Sequence, residues 1–128
     1  MSGRVVHFEI PYDDGDRARA FYRDAFGWQL QEWGEGSYTL ATTGPTGEAG
    51  PDESGFINGG MMRRENPGDG PIVVIDVDDI DASLAKVESL GGQTLLGKQA
   101  VGEMGWTAYF KDPEGNVFGL YQDDKNAK

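Results

Sequence analysis

The only histidine in the 128-residue chain is His7, and Glu9 follows two places later within Val5-Val6-His7-Phe8-Glu9-Ile10. Successive side chains of a strand alternate between its faces. His7 and Glu9 therefore share one face with Val5, and Val6, Phe8 and Ile10 take the other. An imidazole that titrates near neutral pH beside a carboxylate can bind a polar ligand group or move a proton. These two are the candidate catalytic residues. Trp33, Tyr38, Trp106, Tyr109 and Tyr121 are spread over several strand-like runs. Some belong to the core, and others suit stacking on a planar or cationic ligand. Met61 and Met62 offer an adaptable apolar wall. Asp76, at the end of a strand-like run, reads as a cap for the helix region that follows. There is no Ser-His-Asp order and no phosphate-cradling loop. Gly34, Gly36, Gly59 and Gly60 read as β-turns and close backbone approaches.

The elements that would position these residues occur twice in the same order. Val5 to Ile10 is a β-branched run closed by Pro11. Asp13, Asp14 and Asp16 are helix N-cap types. Ala18, Phe21, Tyr22 and Ala25 fall at helical spacing, with Phe26 also counted to the core, and Gly27 stands at the helix stop. Ile72 to Val77, then Asp78, Asp79 and Asp81, then Ile80, Leu84 and Val87, then Leu90-Gly91-Gly92 repeat the pattern. Each helix precedes three strand-like runs: Trp28 to Trp33, Tyr38 to Thr42 and Phe56 to Met62, then Gln93 to Leu96, Trp106 to Phe110 and Val117 to Tyr121. Asp112 to Asn116 is a turn joining the last two. Thr43 to Gly55 reads as a loop, and Arg63 to Pro71 as the linker between modules.

Composition bounds the partners. Twenty-two acids against 11 bases give a net charge of −11. A nucleic-acid binder needs a basic face, so neither nucleic acid nor an anionic membrane is an expected partner. No apolar run reaches the roughly 20 residues of a membrane span. The start, Met1-Ser2-Gly3-Arg4, lacks the features of a signal peptide. Without cysteine there is no disulfide framework, and a cytoplasmic location is expected.

Several stretches together resemble the vicinal oxygen chelate superfamily (glyoxalase, bleomycin-resistance and extradiol dioxygenase proteins). Ala20-Phe21-Tyr22 with Phe26-Gly27-Trp28 is similar to its first-helix signature. Val77 to Ala82 is similar to the start of its second helix, and Asp112 to Leu120 to its closing hairpin. The resemblance implies an α+β fold: one domain over residues 1–128, with two βαβββ modules at about 4–62 and 71–122. Curved mixed sheets would enclose a cavity, with helices on their outer faces. Phe118 and Leu120 would then enter the core, while Val117, Gly119 and Tyr121 line the cavity.

Metal-dependent members hold a divalent ion through His or Glu at four pseudo-symmetric strand positions, and the ion acts as a Lewis acid. Here His7 matches the first position. The second falls on Ile72, the third near Gly59 or Gly60, and the fourth on Gly119. One filled position in four points to a chain with no metal cofactor. The expected function is metal-free binding of a small molecule through His7, Glu9, Tyr121, Trp33 and Tyr109. The alternatives are a metal-dependent lyase, isomerase or dioxygenase of the superfamily, or a drug-sequestering resistance protein. A homodimer is expected by resemblance.

Overall fold

Two aspartates start the two helices. Asp14, in extended backbone, accepts from the Arg17 amide and begins α1 (Gly15–Phe26). Asp79 accepts from the Ala82 amide and begins α2 (Ile80–Ser89). Each satisfies an amide that the helix itself leaves unpaired. Gly27 closes α1 at φ 75°, in the left-handed region. The computed structural model describes residues 3–34, 38–66 and 68–127. Gly36, read above as part of a turn, lies outside them. The chain divides into a first unit, His7–Pro71, and a second, Ile72–Lys128 together with Met1–Val6.

In the first unit β1 (Val5–Tyr12), from His7 on, joins β2 (Gln29–Trp33), β3 (Tyr38–Thr42) and β6 (Asn58–Arg63) in the order β2-β3-β6-β1. β1 runs parallel to β6 and the other pairs are antiparallel. The run expected as a loop contains a short ladder, β4 (Thr46–Gly47) with β5 (Gly50–Pro51). Register sorts the side chains. Glu9 lies opposite Gly60, His7 opposite Asn58, Tyr38 opposite Met62, and Trp33 opposite Tyr38. These form one face. Phe8, Ile10, Met61, Thr39 and Ala41 form the other, and Met61, Thr39 and Ala41 are buried there.

Helix α1 covers that second face with a different stripe from the one its apolar spacing suggested. Gly15, Ala18, Arg19 and Tyr22 are half-buried. Phe21 and Phe26, expected in the core, are 57% and 65% exposed, and Ala25 is exposed too. Arg19 takes an inward position, its guanidinium donating to the Thr39 hydroxyl of the sheet and pairing with Asp16. Phe21 lies about 200° around the helix from it, and Ala25 and Phe26 fall in the last turn. The rings gather instead along the helix flank. Tyr22 stacks on Trp28 at 4.8 Å, and Trp28 meets Phe8 at 5.6 Å. Phe8 thus reaches the helix side, as its parity implied, whereas Val6 is 39% exposed.

Gly59 and Gly60 are strand residues, not turn residues. A methyl on Gly59 would enter the Phe8 ring and touch the Phe8 carbonyl, and one on Gly60 would enter the Tyr38 phenol. Each ring lies across a glycine on its own side of β6.

In the second unit β7 (Ile72–Asp76), β8 (Gln93–Val101), β9 (Gly105–Lys111) and β10 (Val117–Asp123) are ordered β7-β10-β9-β8. The first strand after α2 runs past Leu96 to Val101, because register shifts between Thr94 and Gln99 absorb the irregularity at Gly97. Ile80 and Leu84 of α2 pack with Val77, Ala108, Phe110 and Leu120, and Ile75, Val87, Trp106 and Phe118 border them. The α2 stripe and the inward set Phe118 and Leu120 are as the sequence implied.

Gly59→Ala tests the close approach in the first unit. Its methyl would meet both a ring and a backbone oxygen, so overpacking should cost about 1–3 kcal/mol in a urea unfolding measurement. An unchanged midpoint would show that Phe8 does not lie there.

Candidate functional site

The open face of the first unit centres on His7. Its Nε2 lies 3.0 Å from the Tyr38 hydroxyl, which reaches it by crossing over Gly60. Tyr38 starts β3 and His7 lies in β1, so β6 runs between them, and only a glycine there leaves room for the phenol. Burial holds the imidazole below its usual 6.5. Burial first, and the charge of Glu9 second, push the phenol well above its usual 10. Both partners are therefore neutral near pH 7. A neutral imidazole and a phenol can each donate or accept, so the pair can present either a proton or a lone pair to a ligand. Glu9 shares this face, two residues along β1, and is close enough to influence the phenol. Trp33 stands at the end of β2 opposite Tyr38 and is 45% exposed.

Tyr38, placed by the sequence among aromatics with no assigned role, is the partner that the fold brings to His7. Its signal was the Gly59-Gly60 pair inside a strand, where a missing side chain marks a close approach. A polar pocket of about 380 Å³ lies elsewhere in the unit, beside Tyr12, Asp13 and Arg63, and includes neither His7 nor Glu9.

The second unit holds Tyr109 and Tyr121 on one face of its sheet. Tyr109 lies opposite Gly119, and Tyr121 opposite Thr107 and Asp76. A Cβ on Gly119 would sit 3.3 Å from the Tyr109 ring and 3.1 Å from Val74. The Tyr121 hydroxyl donates to the Met104 carbonyl at 3.1 Å. Burial and the nearby Asp123 carboxylate raise its pKa to about 12. Asp76 does not cap α2, since Asp79 does. Its carboxyl is raised above its usual value, by burial first and by Asp123 second. Trp106 turns to the core side, donating to Asp124 at 2.9 Å with the Lys98 ammonium over its ring.

Residues 4–44 match the bleomycin resistance protein-like N-terminal family. A glyoxylase-like domain-containing protein of Didymella fabae is 32% identical over 124 residues, covering 94% of each chain. The chain belongs to the vicinal oxygen chelate superfamily. It is also 32% identical over 126 residues to CFP32 of Mycobacterium bovis, which carries a glyoxylase name; that match covers 92% of this chain and 45% of the longer protein. Methylmalonyl-CoA epimerase from Mycobacterium tuberculosis shares the fold, at a TM-score of 0.65 and 18% identity over 94% of this chain and 87% of the epimerase.

The metal that part of this superfamily carries does not fit the residues present. Among the described residues there is no cluster of three His, Cys, Asp or Glu that could hold an ion. Ile72 has no donor atom. At the Gly60 position the Tyr38 phenol fills the space a ligand side chain would need, and His7 Nε2 already faces that phenol. A divalent site needs three or four converging ligands, and here one imidazole stands in place.

A depressed imidazole pKa has a measurable sign. The folded state binds fewer protons at His7 than the unfolded chain does. This contribution to stability is full above 6.5 and is lost as pH falls from there through the folded value. Because His7 is the only histidine, its ring C–H resonances can be followed by NMR without ambiguity. The midpoint should lie below 6.5; a midpoint at or above it would contradict burial against Tyr38.

Proposed function

We propose that the chain is a small-molecule-binding member of the superfamily that works without a resident metal. Its ligand places a polar group at the His7–Tyr38 pair. The single observation that carries this reading is the Tyr38 phenol lying over Gly60 and meeting His7 Nε2 at 3.0 Å. Where relatives chelate an ion, this chain has two neutral hydrogen-bonding groups with Glu9 alongside. Such a pair recognises a carbonyl or hydroxyl through donor and acceptor together, and it holds one proton that a bound carbonyl compound could share. Trp33 is proposed as a further ligand contact beside this pair, and Tyr109 and Tyr121 as aromatic ligand contacts on the second unit's own sheet face. The protein is proposed to act in the cytoplasm as a homodimer.

The match to the bleomycin-resistance-like family and the charge of −11 favour one second reading, sequestration of a bulky cationic compound. An acidic protein concentrates cations around it, and this attraction weakens as salt rises.

A thermal-shift screen of neutral carbonyl compounds and cationic aromatic compounds tests both readings, since a ligand of the folded state raises the melting temperature. A neutral hit should bind about tenfold more weakly to His7→Ala and to Tyr38→Phe, the loss of one or two buried hydrogen bonds. Elemental analysis should find no stoichiometric Zn, Ni, Fe or Mn. One ion per chain, lost in His7→Ala, would overturn the metal-free reading. Hits confined to cations and indifferent to both variants would favour the second reading.

A further inference from the structure

The same face of the first unit carries a row of polar side chains leading away from His7. His7 lies opposite Asn58 on β6. The β3–β6 register, Ala41 opposite Gly59, places Thr42 next in the row, and Thr42 lies opposite Gln29 on β2. At the far end is a pocket of about 300 Å³ lined by Gly27, Gln29 and Thr42–Thr46.

The pocket is built rather than incidental. Asn58 holds one wall in place from the middle of the row. Its carboxamide oxygen accepts from the Thr43 amide and its nitrogen donates to the Thr46 hydroxyl, both at 2.9 Å. The Thr43 hydroxyl donates to the Ile57 carbonyl, and the Thr46 hydroxyl to the Gly44 carbonyl. Phe56 lies across Gly44, where a Cβ would come within 2.7 Å of its ring. The segment that a composition reading treats as a loop is thereby fixed against the sheet. Gln29 and Thr42 line the pocket, and among the described residues neither side chain holds a hydrogen bond.

Charge then selects the occupant. No lining residue is ionisable. The run from Thr43 to Ile57 carries Glu48, Asp52 and Glu53 and no lysine or arginine. An anionic group entering here would lose hydration without gaining a cation, and it would meet like charge nearby. An amide or a hydroxyl would meet a carboxamide and a threonine hydroxyl, each able to donate and accept.

We propose that this pocket is a subsite for the neutral, amide- or hydroxyl-bearing end of an elongated ligand whose other end lies at His7. The proposal rests on the reading of His7 given above. Three strand spacings separate β1 from β2, so the ligand spans about 14 Å. A phosphorylated or carboxylate-bearing tail is selected against.

Pantetheine, an uncharged chain with two amides and two hydroxyls, is the probe, with 4′-phosphopantetheine as its charged counterpart. Both are titrated into the isotopically labelled full chain and followed by amide NMR shifts. The expected result is perturbation at Gln29, Thr42, Thr43, Gly44 and Thr46. Affinity should fall about fivefold or more in Gln29→Leu and in Thr42→Val, each of which removes hydrogen-bonding capacity at similar size. 4′-Phosphopantetheine should bind more weakly than pantetheine. No perturbation at these residues, unchanged affinity in both variants, or equal or tighter binding of the phosphorylated probe would overturn the proposal. His7→Ala separates the two readings. If the subsite shifts persist there while neither probe ever perturbs His7 in the parent chain, the subsite stands and the role given to His7 falls.

Discussion

The absence of a side chain at Gly60 is the constraint on which the first unit's site depends. A strand interior gains little from glycine, which adds no packing and has more conformational freedom to lose on folding. Here the glycine opens a lane across β6, and Tyr38 uses it to bring a hydroxyl from β3 to the imidazole on β1. Gly59 does the same for the opposite face, where the Phe8 ring lies across it and continues through Trp28 to Tyr22 of α1. Two adjacent glycines thus set the aromatic packing under the helix and the polar pair on the open face. The second unit repeats the device in a looser form, with Tyr109 beside Gly119.

This arrangement also explains the electrostatics. A half-buried imidazole left alone would lose hydration with little return. The phenol supplies a partner that is itself kept neutral by burial and by Glu9. The same ring fills the space over Gly60 that any side chain there would need, and His7 Nε2 faces its hydroxyl at 3.0 Å.

Much of the fold was legible because it rests on local signals. Asp14, Gly27 and Asp79 are capping residues at their expected places, and the parity of Phe118, Leu120 and Phe8 follows from strand alternation. Three features were not legible. The α1 stripe was misjudged because apolar spacing cannot show that Arg19 would face the sheet and bind Thr39. The stapling of the Thr43–Phe56 run depends on Asn58, a contact between residues 12 to 15 positions apart that no local propensity encodes. The partner of His7 depends on register between strands whose order, β2-β3-β6-β1, departs from chain order. In that case the sequence held the clue, a glycine pair in a strand, without the identity of the ring that needed it.

The central claim is that His7 and Tyr38 act as one unit, and a double-mutant cycle on folding stability tests it most directly. His7→Ala, Tyr38→Phe and the double variant are unfolded in urea beside the parent chain. The account predicts a coupling of about 0.5–1.5 kcal/mol, the range of a net hydrogen bond between neutral groups. Additivity to within about 0.3 kcal/mol would contradict it, showing the two side chains to be independent neighbours.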